Sequence, residues 1–331
     1  MGSSTSSLIL LLVARVAMAQ DPVLPSDTDE VPTGPQRVVG QVVKPGTSSM
    51  LPVPNVWVTL HRVGSDRSAP LDSMRADGRG RYHFDFTRTG DRRAIYFVSA
   101  SYGGVAYFTP TLAHPTVSGE EAEIAVFDTT SAMVPISVRG HHVVVSAVDA
   151  SGQRNVTEVF ELANDSSVTR VVSSGADGAT WSAVLPPQAS GFHVSHGDVP
   201  AAAVKFEGGR ARVFAPIAPG LRQLAFSYSI AASAFPLRIP VTRETQILEV
   251  LVEEEKGTVS GAKLKERAPV ALEQRSFRRF LADDVPANSV SVIDLPAAAR
   301  NTAIGPRYMI ALTIIIGGAM TFALARALRR R

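Results

Sequence analysis

Between two apolar runs at its ends, the chain is built from short segments in which hydrophobic and polar positions alternate with period two, the pattern of strands with one buried face. In residues 55–61, Val56, Val58 and Leu60 fall on one face and Trp57, Thr59 and His61 on the other. Tyr82, Phe84 and Phe86 share one face of residues 81–86. Residues 94–102 and 105–108 flank Gly103 and Gly104 and predict a hairpin, since glycine accepts the positive φ of a tight turn. Residues 38–43 open the series, and residues 37–113 form a first β-rich region. A second runs from 124 to 296, with strands expected at 141–148, 156–162, 178–185, 204–206, 210–214, 223–228 and 245–252. Turn signals such as Gly152, Pro186, Pro187 and Gly220 separate them, and many short strands at regular spacing predict a sandwich of immunoglobulin-like type. Residues 257–296 either complete that sandwich or form a membrane-proximal subdomain. Residues 114–123 read as an interdomain linker, and residues 20–36, rich in Pro, Asp, Ser and Thr, as a disordered spacer.

The run from Tyr308 to Ala325 contains no Asp, Glu, Lys, Arg or His. Eighteen helical residues rise about 27 Å, close to the thickness of a bilayer core, so residues 308–325 are expected to form a transmembrane helix. Arg326, Arg329, Arg330 and Arg331 follow it, so the positive-inside rule puts the tail, residues 326–331, in the cytoplasm. Gly317, Gly318, Ala319, Ala323 and Ala327 put small side chains along the helix, where a second helix can approach closely. Residues 1–19 end in Ala17, Met18 and Ala19 behind an apolar core and read as a cleaved signal peptide; an uncleaved second anchor is the alternative.

Composition changes the picture in two ways. The net charge is +3, but Arg15 and the four arginines after the span are five of the 33 Lys+Arg. The remainder carries 28 basic against 30 acidic side chains, so no basic surface for nucleic acid is expected. There is no cysteine, which excludes thiol catalysis and thiolate metal sites and suits a bacterial periplasm better than a disulfide-stabilised eukaryotic ectodomain.

One stretch resembles a known family. Gly40 and Val42, then Pro52, Val56, Val58 and Leu60, then Asp77, Gly78, Gly80, Tyr82 and Phe84 match the carboxypeptidase regulatory-like domain in order and spacing. The resemblance covers residues 37–113 and implies a transthyretin-like β-sandwich. It implies no activity, because the matched residues shape turns and fill a core. The fold class expected is all-β: two β-sandwich regions, transthyretin-like then immunoglobulin-like, with one C-terminal transmembrane helix.

Candidate chemistry is sparse. No nucleophile elbow, phosphate loop, dinucleotide fingerprint or zincin motif occurs. His193, His196 and Asp198 form the metal candidate, against which stands the reading of exposed loop histidines. His141 and His142 are neighbours on a strand and point to opposite faces, one expected buried or hydrogen-bonded and the other solvated. Asp77 is read as a turn residue rather than a calcium ligand, and Glu253, Glu254 and Glu255 as a solvated strand end. Trp57, Trp181, Tyr96, Tyr102 and Tyr107 are read as core filling rather than a carbohydrate platform. The function expected is non-enzymatic and cofactor-free: a docking, scaffold or accessory subunit of an envelope membrane complex, its partners the lipid bilayer and other membrane or periplasmic subunits. An independent carbohydrate- or peptide-binding module and a metal-dependent enzyme are the alternatives.

Overall fold

The computed structural model describes residues 34–173, 178–195, 197–272 and 275–297. These residues are all-β, in several hydrogen-bonded sheets, with single 3-10 turns at Ala201–Ala203 and Ala232–Ala234. The expected leader, span and tail, and most of the spacer, lie outside the described residues.

The first unit contains β1 (Gly34–Pro45), β2 (Met50–Pro52), β3 (Trp57–Val63), β4 (Ser68–Arg75), β5 (Arg81–Arg88), β6 (Ile95–Tyr102), β7 (Val105–Phe108) and β8 (Thr116–Ala125). In one sheet β1 pairs antiparallel with β2 and β5 and parallel with β8. The other has the order β4-β3-β6-β7. Val38, Val42, Tyr82, Phe84 and Ile124 from the first sheet share one core with Val58, Leu60, Tyr96, Val98 and Ala100 from the second. The alternation read in residues 55–61 and 81–86 is therefore the inside–outside alternation of a two-layer sandwich.

Residues 114–123 are not a linker. They enter β8, whose Val117, Ala122 and Ile124 are buried in the first core. A register irregularity opposite Val39 and Gln41 and a positive φ at Gly119 break the strict period of two, and exposed glutamates fill the outward positions. The edge strand β4 also escaped the pattern, because it is exposed along most of its length.

The second unit begins with β9 (Thr129–Thr130), β10 (Ile136–Val145), β11 (Gln153–Asn164), β12 (Thr169–Arg170), β13 (Trp181–Val184), β14 (Ser190–Val194), β15 (Val204–Glu207) and β16 (Arg210–Val213). It continues with β17 (Gly220–Ala231), β18 (Leu237–Val241), β19 (Thr245–Val252), β20 (Thr258–Gly261), β21 (Lys265–Leu272), β22 (Arg275–Val285) and β23 (Ser289–Asp294). A seven-stranded sheet has the order β14-β17-β11-β10-β19-β22-β21, and only its β10–β19 pairing is parallel. Two three-stranded sheets, β13-β16-β15 and β18-β23-β20, share its core. Phe160, Tyr228 and Val250 from the large sheet meet Trp181 and Val213 from one small sheet and Ile239 and Ile293 from the other. Residues 257–296 thus complete the second core rather than form a separate subdomain. β9 and β12 form a short parallel pair, and a buried hydrogen bond of 2.8 Å between the Tyr107 and Thr169 hydroxyls joins the units.

Gly40 shows why the matched glycine is needed. A Cβ there would overlap the Ala122 carbonyl oxygen and the Tyr82 ring, and the Tyr82 hydroxyl donates to that same carbonyl. Burial pushes the Tyr82 phenol well above its ordinary range, so it stays a donor. Gly40→Ala is expected to destabilise the first unit by about 2–3 kcal/mol, because neither neighbour can withdraw without opening the core. A urea titration followed by tyrosine fluorescence measures it; an unchanged midpoint would contradict the packing argument.

Candidate functional site

Since one face of β4-β3-β6-β7 fills the core, the alternate residues must face outward. Strand register sets them in rows: Arg75, Trp57, Ser101 and Ala106; then Ser73, Thr59, Ser99 and Phe108; then Pro70, His61 and Phe97. Trp57 is 51% and Phe108 58% exposed. The His61 and Phe97 rings stack at 5.0 Å and 13°, and Phe108 meets Phe97 edge-on at 5.7 Å. The Arg75 guanidinium lies 4.7 Å from the Trp57 ring centroid. Two polar rungs brace the face, Thr59 Oγ1 to Ser73 Oγ at 2.9 Å and His61 Nε2 to Ser99 Oγ at 2.8 Å. Burial pulls the His61 pKa below its ordinary 6.5, which keeps the ring uncharged at neutral pH. Single exposed aromatics are ordinary, but here Trp57 and the His61, Phe97 and Phe108 rings share one outward sheet face.

The second unit places its titratable groups differently. His141 and His142 are both buried, which corrects the expectation that one is solvated: β10 lies inside the seven-stranded sheet and residues 140–145 are buried on both faces. Each imidazole therefore requires a partner. His141 Nε2 lies 2.7 Å from Glu158 Oε2, and Tyr228 donates to Glu158 Oε1 at 2.6 Å. Burial, then the neighbouring Glu158, hold the Tyr228 phenol protonated. On the other face His142 Nδ1 lies 2.7 Å from Glu249 Oε2, and Arg279 Nε donates to Glu249 Oε1 at 2.5 Å. Burial is the largest influence on both members of that pair. It drives the His142 pKa down; on Glu249 it acts upward but is outweighed by His142 and Arg279, so the carboxyl is held below its ordinary value. A neutral His142 donating Nδ1–H to an ionised Glu249 satisfies both directions.

Residues 253–255 are likewise not a solvated strand end. Glu253 pairs with Arg275 at 2.6 Å and accepts the Ala147 N–H, and the buried Glu254 meets the buried Arg154 at 3.3 Å. Arg154 also donates to the Ser146 and Pro296 carbonyls, tying the last described residues to the large sheet. Only Glu255 of the three is exposed.

Among the other residues singled out in the sequence, His193 is exposed on the edge strand β14. Asp198 accepts the Gln223 N–H at 2.7 Å, and His196 lies outside the described residues. No group of three His, Cys, Asp or Glu side chains among the described residues could hold a metal ion. Asp77 Oδ1 accepts the N–H groups of Arg81 and Arg79, both at 2.8 Å, and these bonds hold its pKa below 3.8; it is a turn residue. Trp181, Tyr96 and Tyr107 are buried and Tyr102 is partly buried, while Trp57 is outside the core. Phe97 and Phe108 escaped the sequence reading, although their alternation with Tyr96 and Tyr107 carried the signal. Gly317, Gly318, Ala319, Ala323 and Ala327, with Arg326, Arg329, Arg330 and Arg331, lie outside the described residues. Among the described residues no helix is long and apolar enough to cross a membrane.

No family model and no curated protein matches the chain. Several solved structures resemble it distantly. A candidate protease from Parabacteroides distasonis aligns at 11% identity over 50% of this chain and 41% of its own, with a TM-score of 0.31. The major pilin subunit of Bacillus cereus aligns at 10% identity over 79% of this chain and 85% of its own, with a TM-score of 0.20. The shaft pilin SpaA of Lactobacillus rhamnosus GG aligns at 12% identity over 83% and 100%, with a TM-score of 0.21. The chain spans less than half the length of the first of these. Likeness at this level assigns no function.

Glu161, on the opposite face of β11 from Glu158, is buried and its pKa is pushed by that burial from 4.5 to about 7. A carboxyl whose folded pKa is raised contributes stability below its unfolded pKa and loses it as pH rises through the folded value. Glu161→Gln is therefore expected to be indistinguishable from wild type near pH 4 and more stable by about 2 kcal/mol near pH 9. Unfolding midpoints at the two pH values measure it; a constant difference between the proteins would contradict it.

Proposed function

We propose that the chain is a non-enzymatic docking or accessory subunit of an envelope membrane complex. In this reading a leader over residues 1–19 is removed, residues 308–325 anchor the protein in the cell membrane, and the β units lie in the periplasm. The first unit is read as a transthyretin-like, carboxypeptidase regulatory-like module and the second as an immunoglobulin-like one. The observation that carries the reading is the outer face of β4-β3-β6-β7, where Trp57, Phe97, Phe108 and His61 present rigid aromatic area on a braced sheet. Aromatic anchors of this kind dominate the energy of protein interfaces. Anchoring confines that face near partners in the same membrane and raises its effective concentration.

The second reading, an independent carbohydrate- or peptide-binding module, draws on the same face, because exposed aromatic rings also stack on sugars and on extended peptides. Extraction from native membranes in mild detergent separates the two. The docking reading expects co-migration with a defined set of membrane subunits. It also expects Trp57→Ala combined with Phe108→Ala to reduce that co-migration about tenfold or more, while the unfolding midpoint stays near wild type because both side chains lie outside the core. A lone monomer or homodimer in the extract overturns the docking reading, and a glycan and peptide screen then tests the second.

A further inference from the structure

We infer that a cleft in the second unit, on the side of β13 facing the turn after β18, binds a small oxyanion head group: a carboxylate or a phosphate. The inference does not depend on the docking reading. The cleft measures about 300 Å3 when counted out to its open mouth, and His141, Phe160, Trp181, Ala183, Arg243 and Thr245 are among its walls. Its enclosed part has room for about one or two water-sized groups, which suits an oxyanion head and not a whole sugar ring.

Three observations give the cleft its chemistry. Trp181 is buried, and its Nε1 has no hydrogen-bond partner. An indole N–H can only donate, and a buried donor without an acceptor is rare enough in a folded chain to suggest a missing ligand. Arg243 stands beside it, its guanidinium 5.3 Å from the Trp181 ring centroid. One Nη1 donates to the Ser182 carbonyl at 2.8 Å, leaving the other donors of the fork. The field around Arg243 is cationic: Arg210 and Arg170 lie close enough that, after burial, they are what pulls its pKa down. Arg170 donates to the Thr180 and Ala132 carbonyls and to the Met133 sulfur, and Arg210 to the Ser182 hydroxyl. Among the described residues none of the three arginines pairs with a carboxylate.

Of the acidic groups nearby, Glu207 stands opposite Arg210 in the β15–β16 register and pairs with Arg212 at 4.0 Å, which leaves Arg243 itself without a carboxylate. Glu158 stands behind His141 and is already bonded to both His141 and Tyr228. Glu244, next to Arg243 in sequence, is exposed. The walls are also stiff: His141 stacks on Phe160 at 4.0 Å, and Phe160 meets Trp181 edge-on at 4.9 Å. A buried indole N–H without an acceptor and a guanidinium without a carboxylate, both lining one cleft, form a site prepared for an anion.

The test uses the full chain in detergent with Trp57→Phe, which leaves Trp181 as the single tryptophan of the two in the sequence. Its fluorescence is titrated with phosphate, sulfate and acetate against chloride at constant ionic strength. We expect a saturable change with a Kd below about 10 mM for at least one oxyanion and none for chloride. Preference for acetate identifies a carboxylate ligand, and preference for phosphate or sulfate a tetrahedral one. Arg243→Gln is expected to weaken binding at least tenfold, while Arg238→Gln on the exposed side of β18 leaves it unchanged. Should Arg243→Gln fail to fold, Arg243→Lys, which keeps the charge but loses the fork, is expected to weaken binding several-fold. No saturable response to any oxyanion, or one equal in the Arg243 and Arg238 variants, overturns the inference.

Discussion

Burial of both faces at the centre of the seven-stranded sheet, along β10, β11 and β19, is the constraint on which the second unit depends. At β10, β11 and β19 the chain has no solvent side on which to place a polar group, so every charge there must be matched within the sheet or across the core. The outcome is two histidine–carboxylate pairs on opposite faces of one strand, His141 with Glu158 and His142 with Glu249, each completed by a further group. Removing one partner of such a pair would leave an unmatched buried group, so these networks define the packing as much as the aliphatic core does.

The first unit obeys the opposite rule. Its sheets bury one face each, and the outward positions of β3, β6 and β7 are free of core duty. That freedom makes the aromatic face informative. Tyr96 and Tyr107 are accounted for by packing, whereas Phe97, Phe108 and Trp57 are not, and their contacts with His61 and Arg75 hold them in place without hiding them. The oxyanion cleft lies in the second unit, where the buried Trp181 and the half-buried Arg243 both line it.

Much of this architecture was legible along the chain. Alternation at Val56, Val58 and Leu60 and at Tyr82 and Phe84 named the inward faces correctly, whereas Gly40, read as part of a motif that shapes turns, lies inside β1 and makes room for the Ala122 carbonyl and the Tyr82 ring. What escaped was set by neighbours remote in sequence. β8 looked like a linker because a bulge interrupts its alternation and glutamates fill its outward positions; only pairing with β1 makes it a strand. Glu254 looked solvated because a charge run usually is, and its burial depends on Arg154, 100 residues away.

The sequence by itself determined the all-β class, the inward residues of most strands and the absence of cysteine. These properties follow from local periodicity and composition, which need no partner to be read. Tertiary structure alone decided which of the outward aromatics share a face, which histidine meets which carboxylate, and that Trp181 and Arg243 line one cleft. Each of these depends on strand order and register, and those are set by the summed packing of cores assembled from segments far apart in the chain.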